Sequence, residues 1–197
     1  AGYSPEHEII QSTADYIKSN QGQDRGWSWA TSINEWYSES DPDNTAAAIL
    51  ALLAAGFSPD NSSIQGAFGY LRDSQNPSGS FSYGGIENTG STALALTAIH
   101  LSGRNPNDWV AAEGNPIDYI IQMQDSNGSF KYASPLPAGY LPMPEKTTAD
   151  SIIALTGSGY AITNPDTGLN YWWWLIFAGL LLFLIVITLY LKRKNAV

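Results

Sequence analysis

The chain alternates between two kinds of apolar pattern before it ends in one long apolar run. Residues 6–21, 63–75 and 116–124 place apolar positions at the spacing of an amphipathic helix. Each of these segments is followed, after a polar loop, by a helical segment of Ala, Leu, Ile and Thr, at residues 45–56, 92–103 and 148–159. The pattern predicts three helix-loop-helix pairs.

The three pairs are copies of one unit. In each copy a Tyr stands five residues before a Gln, and that Gln stands six residues before an aromatic residue. A Thr-Ala pair later in each copy stands eleven residues before a Gly. The matching positions are Tyr16, Tyr70 and Tyr119; Gln21, Gln75 and Gln124; Trp27, Phe81 and Phe130; Thr45, Thr92 and Thr148; and Gly56, Gly103 and Gly159.

The units have predicted bounds of about 6–56, 64–103 and 116–160. We expect each Thr to lie at the cap or first turn of the second helix, and each Gly to end that helix in the left-handed conformation. The second helices are nearly apolar, so they should pack inward while the amphipathic first helices shield them. A unit of this size must stack on its neighbours, which predicts an all-α arc or ring.

The sequence of the C-terminal end predicts a membrane span. Residues 172–191 carry no charge, and twenty residues of helix match the thickness of a bilayer's hydrocarbon core. Lys192, Arg193 and Lys194 follow at once in a basic tail, residues 192–197, and basic flanks stay in the cytoplasm. Trp172, Trp173 and Trp174 suit the opposite interface. We therefore expect a single-pass protein of the cell membrane, with domain 1–165 outside, linker 166–171 and a cytoplasmic C-terminus.

Charge and cysteine content exclude several classes of function. All eighteen acidic residues and only six basic ones precede the span, so the chain before the span carries 6 − 18 = −12, which argues against nucleic acid as a partner. The absence of cysteine excludes disulfides and thiolate chemistry. An outward domain without a leader at residue 1 suggests a signal peptide already removed. Asn61 and Asn127 fit the N-glycosylation pattern.

The Gln-to-aromatic loop, with its Gly and its flanking helices, resembles the QW-type repeat of the squalene cyclase and protein prenyltransferase superfamily. The likeness runs from about Tyr16 to Tyr160. It implies a partial α/α toroid, here joined to one C-terminal transmembrane helix. Relatives include triterpene cyclases, prenyltransferase β-subunits, thioester domains and cobalamin carriers, so the resemblance indicates architecture more than activity. The zinc ligands of prenyltransferases and the Cys-Gly-Glu-Gln of thioester domains are missing from the sequence.

The stretch "DPDNTA" resembles the Asp-x-Asp-Asp-Thr-Ala motif with which bacterial squalene cyclases protonate an alkene. Asn44 departs from it, and the other two copies have no paired carboxylates there. Asp41 and Asp43 are therefore acid candidates, but capping of the Ala-rich helix is the preferred interpretation. A third interpretation is a Ca²⁺ site formed by oxygens of Glu39, Asp41, Asp43 and Asn44, with Glu35 nearby.

Aromatic residues of the loops fall into two groups. The repeated Trp27, Phe81 and Phe130 should pack between units. The remaining ones are candidates for a ligand or partner surface, together with a Pro-rich insertion at residues 132–146. These candidates are Trp29, Trp36, Tyr83, Tyr132 and Tyr140.

The sequence favours a non-enzymatic, membrane-anchored, extracytoplasmic binding or scaffold module, without a required cofactor. Half a toroid has exposed ends, so other membrane or surface subunits are expected partners, besides the bilayer itself. Two alternatives remain open. One is a receptor for a cobalamin-like or lipid ligand, and the other is a terpene-cyclase-like enzyme that uses Asp41 or Asp43.

Overall fold

The computed structural model describes residues 2–29 and 39–158. The chain divides into two compact units, residues 1–160 and 161–197, and the second lies wholly outside the described residues. Among the described helices, none combines the length and apolar character that a bilayer crossing requires. The predicted span 172–191 with its flanks, and the candidates Glu35 and Trp36, fall outside the described ranges, so they stay predictions.

Six α-helices in the described residues form the three predicted pairs. The first, amphipathic helices are α1 (Glu8–Ser19), α3 (Ser62–Asp73) and α5 (Pro116–Gln122); the second helices are α2 (Pro42–Ala54), α4 (Thr89–Leu101) and α6 (Pro144–Thr156). Helix α4 packs against both α2 and α6, and α3 packs against α2. The helix-loop-helix organisation of the sequence prediction is confirmed.

The second helices supply most of the core because their small side chains allow close approach. Ala46 and Ile49 of α2, and Ala95, Ala98 and Ile99 of α4, are fully buried. Each large apolar side chain removed from water in this way contributes about 1.5–3 kcal/mol. The first helices cover this layer with one face only, as their polar residues require.

The structure corrects the all-α prediction in the second unit. Strands β1 (Phe81–Tyr83) and β2 (Ile86–Asn88) form a two-stranded antiparallel hairpin in the loop between α3 and α4. Gly84 and Gly85 both have positive φ, of 57° and 77°, as a tight hairpin turn requires. A short 3₁₀ helix, Pro106–Asp108, was also not predicted.

The repeated Thr is not the predicted cap, although Thr45 and Thr92, the fourth residues of α2 and α4, lie in the first turn, the other predicted position. The helices α2, α4 and α6 have Asp41, Asn88 and Met143 as their N-caps. The Thr hydroxyl accepts instead the backbone N–H of the loop's aromatic residue, at 3.0 Å in every unit. The pairs are Trp27 with Thr45, Phe81 with Thr92, and Phe130 with Thr148.

This bond, which we call the threonine clip, holds the loop on the second helix. The clipped aromatic residues are buried, as predicted, with exposed fractions of 6% for Trp27, 0% for Phe81 and 5% for Phe130. A buried backbone N–H that lost its acceptor would cost about 1–3 kcal/mol. The clip therefore fixes both the loop and the start of the helix that follows.

The repeated Gln joins neighbouring units. The Gln21 amide donates to the Arg25 carbonyl in its own loop, at 2.7 Å, and to the Ser63 carbonyl in α3, at 2.9 Å. Gln75 donates likewise to Gly79, at 3.1 Å, and to Trp109, at 2.8 Å. These bonds make the Gln both a loop brace and a link to the following unit.

The helix ends agree with the predicted glycines in two units and correct the third. Gly56 and Gly103 follow α2 and α4 with φ of 82° and 73°. Helix α6 ends two residues earlier than predicted, at Gly157 with φ of 66°, rather than at Gly159. An added Cβ at Gly157 would lie 3.1 Å from the His100 ring, so this position favours glycine on both grounds.

The threonine clip predicts a difference between two buried threonines of α4. Thr92→Val removes the acceptor of the Phe81 N–H and should lower the free energy of unfolding by about 1–3 kcal/mol. Thr97 only donates to the Ala93 carbonyl of its own helix, so Thr97→Val should cost clearly less. Urea unfolding followed by circular dichroism measures both, and equal losses would contradict the clip.

Candidate active site

Asp41 and Asn44 form the cap of α2. The two Asp41 oxygens accept the Asn44 backbone N–H, at 2.8 Å, and the Asn44 side-chain amide, at 2.6 Å. Pro42 occupies the first helical position, where no N–H is needed. Both oxygens of Asp41 thus accept hydrogen bonds within the cap, so this carboxylate stabilises the start of α2.

Asp43, two residues further, has a different environment. Its residue is half-buried, and its Oδ1 atom is fully buried without a hydrogen-bond partner among the described residues. Burial raises the pKa of the Asp43 carboxyl and the Asp41 charge adds to this, while a Ser91 hydrogen bond and the Lys146 charge oppose it. The net effect favours the protonated acid relative to an ordinary Asp.

Ser91 is oriented by a fully buried amide. The Asn88 side-chain amide donates to the Ser91 hydroxyl oxygen at 2.9 Å, and the Ser91 backbone N–H donates back to Asn88 at 2.8 Å. Because the hydroxyl oxygen accepts from Asn88, its single proton is available for the Asp43 carboxyl. The start of α4 thereby supports a carboxyl group at the start of α2.

Equivalent positions of the three units meet at this place. Asp43, Gly90 and Lys146 each stand two residues before the clipped Thr. Lys146 pairs with Asp150 at 2.5 Å and also lies within electrostatic range of Asp43. The repeat therefore brings an acid, a glycine and a cation to the N-terminal ends of adjacent inner helices.

Tyrosines of the predicted ligand surface lie beside the acid. The rings of Tyr132 and Tyr140 stack, with centroids 5.9 Å apart. Gly90 leaves room for the Tyr132 ring, which would be 3.4 Å from an added Cβ. Burial raises the pKa of Tyr132, and Tyr140, Asp43 and Tyr83 add to the effect, so each of these three groups lies within electrostatic range of Tyr132.

The two remaining aromatic candidates are not part of this cluster. Trp29 has 73% of its surface exposed and lies in the first unit's loop. Trp36 lies outside the described residues. The sequence identified Asp43 as an acid and Tyr83, Tyr132 and Tyr140 as surface residues. In the structure Tyr132 stacks on Tyr140 and lies within electrostatic range of Asp43 and Tyr83.

A cavity of about 480 Å³ lies under the Pro-rich insertion, which was predicted to belong to a ligand or partner surface. Tyr132 forms part of its wall, so the cavity adjoins the tyrosine cluster. Lys131 and Asp125 form an ion pair of 2.8 Å at this cavity. Its apolar lining consists of Phe130, Ala133, Leu136, Pro142, Met143 and Pro144.

The Ca²⁺ interpretation gains no support from the described residues. No three acidic or histidine side chains within residues 2–29 and 39–158 form a group that could hold a metal ion. Asp41 is engaged by Asn44, and Glu35 is outside the described ranges. A site at Glu39, Asp41, Asp43 and Asn44 stays a prediction.

The two predicted glycosylation sites have different surroundings. Asn61 is half-buried and caps α3 by accepting the Ser63 N–H at 3.0 Å. Asn127 is exposed, and its side-chain oxygen accepts from the Ser129 N–H and hydroxyl. Their use remains a prediction, and Asn127 is the more accessible of the two.

Three residues of the site were not predicted from the sequence, namely Asn88, Ser91 and Lys146. A signal was present, because Asn88 and Ser91 have the same spacing as Asp41 and Asn44 and stand at the same repeat positions. Aligning the copies position by position would have identified them. Such an alignment does not show the helix packing that brings Ser91 and Lys146 near Asp43.

Comparison with known proteins supports the repeat assignment. Residues 1–92 match the family model of the squalene-hopene cyclase C-terminal domain. Among eleven matching chains of solved structures is the type II terpene cyclase MstE from Scytonema, in its apo form. It shares 19% sequence identity at a TM-score of 0.59, over 84% of this chain and 46% of that chain. A search of curated proteins found no matching sequence.

These comparisons confirm the predicted resemblance to the squalene cyclase superfamily repeat. The structural likeness shows the fold, and this chain spans less than half of that cyclase. Neither comparison tests the fusion to a transmembrane helix.

The raised pKa of Asp43 predicts how stability depends on pH. Just above the ordinary Asp pKa of 3.8, the folded protein keeps a proton that the unfolded chain has lost, so stability falls as pH rises through this window. Asp43→Asn removes that cost and should raise the urea midpoint at neutral pH, with a gain that shrinks as the pH approaches 3.8.

The matched control is Asp41→Asn, which retains a capping oxygen for the Asn44 N–H and should bring no comparable gain. Urea titrations of both variants over a series of pH values provide the measurement. A gain for Asp43→Asn that is the same at every pH would contradict the assignment.

Proposed function

We propose that this chain, whose repeats are of the squalene cyclase type, acts as a terpene-cyclase-like domain in which Asp43 protonates an isoprenoid alkene. The observation that carries the proposal is the buried, unpartnered Oδ1 of Asp43, with Tyr132 within electrostatic range of this carboxyl. An alkene is a poor base, so its protonation needs an acid that is kept protonated away from water. The family match covers this stretch of the chain.

The proposed first step transfers one proton. The O–H bond of the Asp43 carboxylic acid breaks, a C–H bond forms at one alkene carbon, and the other carbon becomes a cation. A second alkene of the same substrate closes the ring by forming a C–C bond. The final cation loses a proton or takes up water, and solvent returns a proton to the Asp43 carboxylate.

The neighbours of Asp43 suit both sides of this step. Before the transfer, burial and the Asp41 charge favour the protonated acid. After it, the Ser91 hydrogen bond and the Lys146 charge stabilise the carboxylate that remains. The faces of the nearby tyrosine rings attract a carbocation through their quadrupoles.

Enclosing a whole substrate requires more surface than the described residues provide. The cyclase to which the chain is similar is more than twice the length of the matched part. Further repeats of the same protein, a second copy of this chain or a partner subunit would supply the remaining wall. This expectation agrees with the partner proteins that the exposed repeat ends suggest.

The test uses solvent deuterium. The purified protein is incubated in D₂O with squalene, farnesol or geranylgeraniol, and the extract is analysed by gas chromatography and mass spectrometry. Protonation by Asp43 places one deuterium at the first protonated carbon of each cyclic product. Asp43→Asn should abolish the product, because an amide cannot donate this proton, whereas Asp73→Asn, an exposed carboxylate at the end of α3, should leave it unchanged.

The outcome separates the hypotheses for this site. Cyclic product that persists in Asp43→Asn would refute the acid assignment. Binding of an isoprenoid by the wild type without deuterated product would favour the lipid-receptor alternative, and the cavity under the insertion would then be the place to substitute. If the wild type neither binds an isoprenoid nor forms a product, the result would favour the non-enzymatic module.

A non-enzymatic, membrane-anchored binding or scaffold module is the second candidate. Asn44 favours this candidate. The cyclase motif has a carboxylate at the position of Asn44, whereas here the Asn44 side-chain amide donates a hydrogen bond to Asp41. Exposed apolar residues at the outer units favour it as well. Ile9 in α1 is 52% exposed, Ile121 in α5 54% and Ile152 in α6 55%. Such residues are common at surfaces that a partner covers.

The proposed topology places the repeat domain outside the cell and the basic C-terminus in the cytoplasm, and it can be tested because the chain has no cysteine. Ser126→Cys adds a thiol at an exposed loop position, and Asn195→Cys adds one to the basic tail. A membrane-impermeant maleimide applied to intact cells should label the first variant only. The cysteine-free wild type gives the background, and labelling of the second variant alone would refute the orientation.

A further inference from the structure

Two arginines lie together on a pair of aromatic rings, away from the Asp43 site. The Arg72 guanidinium is 4.2 Å from the centroid of the Trp109 ring, and the Arg104 guanidinium is 4.2 Å from that of Phe68. These two rings contact each other edge to face, with centroids 6.0 Å apart. The four side chains form one cluster, which we call the arginine pair.

The arginine pair concentrates positive charge in an acidic domain. Only three arginines precede the predicted span, and two of them are in this cluster. They are close enough to repel each other, since burial and then the Arg72 charge lower the pKa of Arg104. Bringing two like charges together costs free energy unless something compensates them.

The described residues compensate the pair only in part. Neither arginine has a carboxylate within ion-pair distance in residues 2–29 and 39–158. One Arg72 nitrogen donates to the Asp108 carbonyl at 3.2 Å, and Asp60 attracts Arg104 from a longer distance. The Arg104 Nε–H is buried and has no acceptor among the described residues.

The pair is accessible to a ligand. Arg72 is exposed and Arg104 is half-buried, so the rings cover part of the Arg104 side chain while the cluster faces solvent. A guanidinium held against a ring keeps its planar set of N–H donors in a fixed orientation. Two such groups on adjoining rings suit an anion with several oxygens better than they suit a single carboxylate.

We propose that Arg72 and Arg104 form a binding site for a phosphate or sulfate group. The oxyanion would accept N–H bonds from both guanidinium groups and would relieve their mutual repulsion. This site is independent of the proposed chemistry at Asp43. The anion could come from a soluble compound or from a phospholipid headgroup, which share the same chemistry.

The experiment follows the arginine side-chain signals by NMR. The full chain, in micelles of an uncharged detergent, is titrated with sodium phosphate and then with sodium sulfate, and sodium chloride of equal ionic strength provides the reference. The Nε–Hε signals of Arg72 and Arg104, assigned from their loss in the single variants, should shift and saturate with phosphate or sulfate but not with chloride.

Variants test whether the two side chains act together. Arg104→Gln and Arg72→Gln should each raise the dissociation constant about tenfold, since each removes a charge-assisted donor set. Arg104→Lys keeps the charge without the planar donors and should weaken binding too. Lys18→Gln is the matched control, because Lys18 also lies over a ring, that of Phe57, but in another unit.

The source of the anion follows from a second titration, with phosphatidylcholine vesicles that contain or lack phosphatidic acid. Shifts with inorganic phosphate support a soluble ligand, and shifts only with phosphatidic acid support a lipid headgroup. The proposal is overturned if neither produces saturable shifts, or if both glutamine variants bind as tightly as Lys18→Gln. Circular dichroism of each variant shows whether a loss of binding reflects unfolding.

Discussion

The threonine clip is the interaction on which the rest of the domain depends. A loop that buries a large aromatic side chain must also bury its own backbone N–H, and that group needs an acceptor. Thr45, Thr92 and Thr148 supply it in the three units with the same geometry. Because the hydroxyl belongs to the following helix, one hydrogen bond fixes the loop and the helix start together.

The clip explains why the candidate site lies where it does. The three helix starts are held in equivalent places, so residues two positions before each Thr come close to one another across the packed helices α2, α4 and α6. These positions differ among the three copies, whereas the clip is the same in each. In this chain they are Asp43, Gly90 and Lys146. Lys146 is a cation within electrostatic range of the Asp43 acid, and Gly90 leaves room for the Tyr132 ring.

Most of the fold was predictable from sequence because local repetition and amphipathic spacing are visible without a structure. The helix pairs, the burial of Trp27 and Phe81, and the left-handed Gly56 follow from those patterns. The hairpin after Phe81 was not predicted, since its strands have only three residues each and depend on the flanking clip for support. The role of the repeated Thr was also missed, because a hydroxyl at a helix start is equally typical of a cap.

The candidate site shows the same division. Asp43 and the tyrosines stood out by residue type, but an acid that starts a helix is ordinarily a solvated cap, and Asp41 is one. The sequence could not show that Asp43 is desolvated while its neighbour is engaged, because burial depends on contacts with other units. Nor could it show that Arg72 and Arg104, thirty-two positions apart, share one pair of rings.

Four properties can be recognised in the sequence without a structure. They are the repeat, the pairing of amphipathic and apolar helices, the acidic charge before the C-terminal run, and the apolar character of that run. These properties reside in residue type and spacing, which act over a few turns of chain. The packing of the units determines which carboxyl is desolvated, which hydroxyl hydrogen-bonds to it and which charges lie close together. Those outcomes depend on distances between residues far apart in the chain, and such distances exist only once the units have packed.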